Sequence, residues 1–333
     1  MSAGQVSPAI AGAEPDFGPN VLLVDPGSPD AQQKIDAIFA TQETGQFNDN
    51  RHAILLKPGT HNLNIQIGFY THVMGLGRHP NDVQIIGGLD SKARWMRDRN
   101  ATCNFWRSAE NVTVTPQHNN GTMIWAVSQA SPLRRVHIKG DLHLSDGGWS
   151  SGGFLADSAI DGTVDSGTQQ QWFTRNSGWT RWQGGNWNMM FMGVVNAPEG
   201  SWPDKPYTTF DMTYSLVREK PFLCVDDDGY AVMVPHDSSF SGRRAGTSWA
   251  NAISSSIPDP HPKRLPLDTF HIARADRDSA ESINAALAEG KNLLLTPGIY
   301  TLNQAIAVTR PGTIVLGMGY PTLRPQNGVA ALT

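Results

Sequence analysis

The sequence predicts an all-β chain folded as a right-handed parallel β-helix, closed by short capping helices. Three observations carry that expectation. A helix–strand–turn–strand unit occurs twice, once near each end of the chain. Between the copies lie short apolar strands cut by turns, with no helical periodicity. The composition, with 33 Gly, 22 Pro and only 17% charged residues in 333, is that of a turn-rich chain built from strands.

The repeat sets the architecture. Residues 53–59 read AILLKPG, and residues 292–298 read NLLLTPG. The match runs on through THNLNIQI and IYTLNQAI, pairing Pro58 with Pro297, Gly59 with Gly298, Leu63 with Leu302 and Asn64 with Asn303. After a three-residue slip, Met74-Gly75-Leu76-Gly77 matches Leu316-Gly317-Met318-Gly319. Each copy follows a helix signal. In the second, Asp278 reads as the N-cap, Glu281 completes a capping box, Ile283 and Leu287 form the buried face, and Gly290 stops the helix. In the first, Asp30 and Gln33 take those places, with Ile35, Ile38 and Phe39 as the apolar face. Such a unit resembles the opening cap of a solenoid, whose first coil would otherwise expose core and strand edges.

The clearest strands between the caps are NVTVT (111–115), TMIWAV (122–127), RRVHIKGDLHL (134–144), GFLADSAI (153–160) and MMFMGVV (189–195). Stacked coils of roughly 20–25 residues account for them. An antiparallel sandwich is the competing reading, and the repeated cap favours the solenoid. The expected organisation is a flexible segment over 1–19, a first β-helix over 20–265, and over 266–333 a linker with the opening cap of a second, incomplete β-helix. Only 14 residues follow Gly319, so the natural protein is expected to be longer. The first 19 residues carry no apolar signal core, and an export signal is expected to precede them in a secreted protein.

A net charge of −4 without a basic stripe argues against nucleic acid and acidic membranes as partners. No apolar run approaches the ~20 residues that span a bilayer. Cys103 and Cys224 lack metal-ligand spacing, which leaves one disulfide or two buried thiols open. No histidine set or cofactor motif appears, so neither a metal nor a cofactor is expected. The Gly-x-Gly at 75–77 and 317–319 follows a strand but opens no helix, which suits a coil turn and not a nucleotide loop. Asp226-Asp227-Asp228-Gly229 lacks the alternating ligands of a calcium loop and reads as a solvated turn. Arg218-Glu219-Lys220-Pro221 reads as a structural ion pair. The Asn-x-Thr sequons at Asn100, Asn111 and Asn120 are about as many as chance supplies.

The segment 147–195 is the most specific. It holds Ser151-Gly152-Gly153-Phe154, then Gln170-Gln171-Trp172, then Thr174-Arg175-Asn176, then Asn186-Trp187-Asn188. In order and approximate spacing this resembles the first β-helix of the family 55 glycoside hydrolases, which act on β-1,3-glucans. The resemblance covers roughly 20–200 and 268–325, and 203–265 has no counterpart in it. It implies a pectin-lyase-like solenoid, two β-helices side by side in one polypeptide, and a substrate cleft between them. It also implies an inverting hydrolysis whose general acid is a Glu of the second helix, with water held by neutral side chains of the first, including a Gln. Gln170 and Gln171 are the candidates by position. An amide orients water through its carbonyl but is a very weak base, so it supplies placement more than proton removal. A Gln ladder along stacked coils is the alternative.

Six of the ten Trp lie between 149 and 202. Indoles stack on the apolar C–H faces of sugars, and amides or guanidinium groups satisfy the hydroxyls. The candidate binding residues are therefore Trp149, Trp172, Arg175, Asn176, Asn186, Trp187 and Asn188. Asp146, Asp157, Asp161 and Asp165 lie in the same region; each could serve as acid or base if this half worked alone, although turn aspartates more often bond backbone amides. A glucan hydrolase leads, followed by a non-catalytic carbohydrate-binding β-helix and then a polysaccharide lyase. The expected partners are a β-glucan and a second β-helix in cis.

Overall fold

The structure, a computed structural model, describes residues 13–217, 219–235, 238–245 and 263–333. The chain enters at Val21–Val24, passes through helix α1 (Ala31–Gln42) and returns at His52–Leu56, which pairs in parallel with the entering strand. From there it winds as the expected right-handed parallel β-helix. Its first sheet runs, among the described residues, through nine parallel strands. The register stacks Ile54, Val73, Ala109, Leu133, Leu155, Thr174 and Phe191 in one column. All of these are buried. Strand side chains alternate, so the flanking columns face outward: His72, Ser108, Pro132, Phe154, Phe173 and Met190 on one side, and Met74, Glu110, Arg134, Ala156, Arg175 and Met192 on the other.

Single strands turn corners between sheets. Arg107–Pro116 pairs first with Thr71–Gly75 and then with Val83–Asp90, so one strand serves two faces of the coil. The residue at this corner recurs with positive φ: Asn111 (59°), Arg135 (54°), Asp157 (52°), Asn176 (47°) and Gly193 (64°). The left-handed backbone is paid for by side-chain bonding where the residue allows it. Asn111 Nδ2 donates to the carbonyls of Gly75 (2.9 Å) and Gly77 (2.6 Å), and Arg135 donates to Asn111 Oδ1 at 2.9 Å. Gly75 is obligatory there, because a Cβ would sit 2.0 Å from the Asn111 carbonyl oxygen. Inside the coils a continuous aliphatic and aromatic core surrounds Trp125, which is fully buried and donates its indole N–H to the Ser131 carbonyl at 3.1 Å.

The second copy of the unit folds like the first. Helix α2 (Ala280–Ala288) precedes Asn292–Leu295, which pairs in parallel with Val315–Gly317, and Ile299–Leu302, which pairs in parallel with Thr322–Pro325. Ile283 and Leu287 are buried and Gly290 takes φ 89°, as expected. The caps differ from expectation. Ser279, not Asp278, caps α2 and exchanges bonds with Ser282, while Asp278 accepts from Arg274 N–H and pairs with His271. Asp30 makes no capping bond to α1 and instead pairs with Lys34 at 2.7 Å. Both assigned carboxylates had a basic or backbone partner elsewhere that competes for them.

The stretch between the two solenoids leaves the coil pattern for antiparallel strands. Met212–Val217 pairs with Ser238–Gly242, and Phe222–Asp226, Gly229–Val234 and Lys263–Pro266 form a three-stranded sheet. The expected Asp-Asp-Asp-Gly turn links the first two of these, with Asp227 and Asp228 exposed and Asp226 paired to Arg264. This sheet and the second cap close over the outward face of the first helix. Ala53, Leu55, Met74 and Leu76 pack there against Leu223, Val225, Leu294, Leu316 and Met318. Cys103 and Cys224 are both free thiols. Residues 1–12, most of the expected flexible segment, and Arg218 of the expected ion-pair segment lie outside the described residues.

Candidate functional site

The first sheet carries more coils than the second cap covers. Three parallel strands of the second cap (Phe270–Ala273, Asn292–Leu295 and Val315–Gly317) lie against the first coils. Beyond them the outward face continues through Phe154, Phe173, Met190 and Arg175. Where the cover ends, a cavity of about 370 Å³ opens between His72, Glu110 and Arg134 of the helix, Lys220 of the linker and Tyr320 of the second cap.

The cavity and the face beside it are knit by buried charge. Lys220 Nζ bonds both Glu110 carboxylate oxygens, at 2.6 and 2.7 Å, and His72 Nε2 lies 3.5 Å from the same group. Burial alone would raise the Glu110 pKa, but Lys220, His72 and Arg134 outweigh it and hold it at about 2. Burial pushes His72 down to about 4, so its imidazole is neutral at neutral pH. Three coils further on, Arg175 pairs with Glu219. The segment read as an ion pair thus makes two, both to the helix. Asp157, 3% exposed, lies beside Glu219, with Arg175 and Arg244 near. Burial first, and the Glu219 charge second, push its pKa up to about 7.

The buried Asp157 makes the stability depend on pH. Its folded pKa lies above the ordinary 3.8, so the folded protein holds a proton that the unfolded chain releases. Its contribution is complete below about pH 4 and is lost as the pH rises through 7. Asp157→Asn removes that loss. At pH 8 the variant is expected to be more stable than the native chain by roughly 2 kcal/mol, at ~1.4 kcal/mol per pKa unit with partial relaxation. Urea melts at pH 5 and pH 8 measure it. Equal destabilisation at both pH values would show a charged, fully paired carboxylate instead.

The structure separates the sequence-derived site residues by where their side chains lie. Gln171, Phe173 and Arg175 share the outward side of the strand Gln171–Arg175, and Asn188 stacks in register on Gln171. Trp149 (54% exposed), Trp187 (62%) and Asn188 lie at the surface. Gln170 lies at the corner before the strand, half-buried, its amide N–H on the Ser150 carbonyl. Trp172 and Asn176 are corrections. Trp172 points inward, 3% exposed, packed in the core beneath Gly153 and bonded to Thr174 Oγ1 at 3.0 Å. Asn176 is a fully buried corner residue. Asn186 is exposed but ties coils together through the Gly167 and Gln169 carbonyls. Gln169, passed over in the sequence, is the buried coil-bridging amide, with partners at Gly152, Val127 and Leu144.

Of the other carboxylates, Asp146 accepts from Ala93 N–H, Asp161 pairs with His137, and Asp165 caps Gly167 N–H. Asp146 and Asp165 thus make the backbone bonds expected of turn aspartates, whereas Asp161 makes a side-chain pair. Glu110, Lys220 and Glu219 escaped notice as a group, since their partners lie a hundred residues apart or on another strand and leave no local pattern.

The LAM55 pectate lyase-like domain family model matches residues 270–333. Over 320 residues the chain is 49% identical to an exo-beta-1,3-glucanase of Streptomyces sp. (strain SirexAA-E / ActE), covering 95% of this chain and 51% of that protein. The solved structure of sacteLam55A from Streptomyces sp. SirexAA-E superposes with a TM-score of 0.88 at 48% identity, covering 97% of this chain and 57% of that one. A glutamate-to-alanine variant of sacteLam55A in complex with glucose gives 0.87 at 48% identity, covering 97% and 56%. The chain spans about half the length of the curated relative it matches.

Proposed function

We infer, for a chain that belongs to the family 55 glycoside hydrolases and spans about half the length of its relative, that it forms one wall of a β-1,3-glucan hydrolase cleft. The observation that carries this is the outward row Gln171, Phe173 and Arg175, which continues the face that the second cap has begun to cover. A second β-helix in cis would extend that cover and supply the general acid from across the cleft. The reaction is inversion: the acid protonates the leaving oxygen, and water attacks from the opposite face. Gln171 places that water, with Gln170 behind it at the corner. Trp149, Trp187 and Asn188 are the exposed groups suited to sugar rings and hydroxyls. The protein acts outside the cell, where its polymeric substrate is found.

Product analysis on laminarin tests the reading, comparing this chain with one extended through the second β-helix. Release of sugar by the extended chain alone is expected, and Gln171→Ala in that chain should lower kcat by about 10²-fold with little change in KM. Cleavage by this chain alone would move the acid to its own carboxylates. Binding without cleavage by either would make it a carbohydrate-binding β-helix. Faster cleavage of polygalacturonate than of laminarin would make it a lyase.

A further inference from the structure

Two asparagines of the chain precede a glycine, Asn120-Gly121 and Asn327-Gly328, and both asparagines are exposed in turns. The backbone explains the choice of residues. Asn120 and Gly121 take φ of 56° and 79°, and Asn327 and Gly328 take 52° and 75°. Left-handed backbone costs least at asparagine and glycine, so tight turns select this dipeptide. The two turns use it in different frames. In the first, Gly121 closes the turn, its N–H donating to the His118 carbonyl at 2.9 Å. In the second, the closing bond runs from Val329 N–H to the Gln326 carbonyl at 3.1 Å, which makes Asn327-Gly328 the central peptide. Among the described residues, neither the Gly328 N–H nor the Asn327 side chain has a hydrogen-bond partner.

We propose that Asn327 is a site of spontaneous covalent modification, where the side-chain amide becomes an aspartyl or isoaspartyl carboxylate while Asn120 is spared. The Gly328 backbone nitrogen, after giving its proton to solvent, attacks Asn327 Cγ. The new N–C bond closes a succinimide ring, the bond from Cγ to the side-chain nitrogen breaks, and that nitrogen takes up a proton and leaves as ammonia. Water then opens the ring. Addition at the side-chain carbonyl gives aspartate, and addition at the main-chain carbonyl gives isoaspartate, with the chain routed through the side-chain carbons. The attack needs an unbonded nitrogen and a peptide free to turn toward the side chain. A Cβ on either glycine would meet nothing within 4 Å, so the two peptides are equally open and the His118 bond is what separates them. The product bears on the second cap. Beyond the turn, Ile306 N–H donates to the Ala331 carbonyl at 3.1 Å, Thr333 N–H to the Ile306 carbonyl at 2.9 Å, and Val308 N–H to the Thr333 carbonyl at 2.8 Å. Ala331 and Val308 pack on the core of that cap. An isoaspartyl link lengthens the main chain by one carbon, a fraction of a residue step, so this pairing loses its register.

Peptide mapping by mass spectrometry, on folded chain incubated at pH 8 and on chain held in urea, tests the site. In the folded chain Asn327 is expected to convert roughly tenfold faster than Asn120, the cost of opening one net backbone hydrogen bond. In urea the two rates should converge. Asn327→Gln should remove the new carboxylate from the C-terminal peptide, because the longer side chain must close a larger ring and does so far more slowly. Hydrogen exchange on the separated isoaspartyl form should show lost protection at Ile306, Val308 and Thr333, with native protection elsewhere. Equal rates at the two asparagines of the folded chain, faster conversion at Asn120, or no conversion at Asn327 overturns the site. Native protection at those three amides in the isoaspartyl form overturns its effect on the cap. None of these results depends on the glucan reading.

Discussion

Lys220→Met is expected to destabilise the protein by about 3–5 kcal/mol, because it strands a buried carboxylate. Glu110 is 4% exposed, and the Lys220 ammonium bonds both of its oxygens. His72 cannot replace that charge at neutral pH, since burial keeps its pKa near 4. The reverse change costs less. Glu110→Gln leaves an ammonium that is already 32% exposed and can turn to water, so the loss should stay near 1–2 kcal/mol. The pH responses differ in sign. In the native protein the Glu110 pKa is depressed, so its contribution is present above about 4.5 and lost as the pH falls toward 2. In Lys220→Met, acidification should instead relieve the penalty, because the carboxyl, left without its ammonium partner and with only the Arg134 charge nearby, takes up a proton more readily. Urea midpoints at pH 4.5 and pH 7.5 read both effects. Equal costs for the two substitutions would mean that the pair is solvated and contributes little.

Trp125→Ala is expected to cost a further 3–5 kcal/mol class of effect at a different place, the middle of the coil stack. The ring is fully buried among the coil residues, and its removal also leaves the Ser131 carbonyl without its indole donor. Trp125→Phe keeps most of the packing and should lose about half as much. In a solenoid each coil leans chiefly on its neighbours, so the cavity should split the unfolding transition as well as lower it. Circular dichroism and tryptophan fluorescence, coincident in the native chain, are expected to separate in the variant. A single coincident transition with an unchanged midpoint would contradict this.

Much of the architecture was legible because the signals were local and repeated. Pro58 with Pro297 and Gly59 with Gly298 mark the same turn twice, and both modules fold alike around it. The helix caps were misread by one position at Asp278 and by partner at Asp30, since a carboxylate near a helix start has several bonds to choose from. Trp172 was misplaced although the period-two rule bears on it. In the strand Gln171–Arg175 it alternates with Gln171 and Phe173, so both could not share its side of the sheet. The stack of Arg51, Tyr70 and Trp106 could not be read from sequence at all, because its members fall on three successive coils of unequal length and only the register brings them together.

The joint between the two solenoids has a consequence for synthesis. Leu55 and Met74 leave the ribosome early, while their partners Leu316 and Met318 emerge roughly 240–260 residues later, a delay of about 10–50 s at ordinary translation rates. Throughout that interval the nascent first helix presents an apolar strip to the cytosol or to the export machinery. A holding chaperone, or delayed folding of the first coils, is then needed to keep neighbouring nascent chains from pairing through it. Slowing elongation late in the message should increase aggregation, and substituting Leu55 by a polar residue should decrease it at the expense of the finished joint.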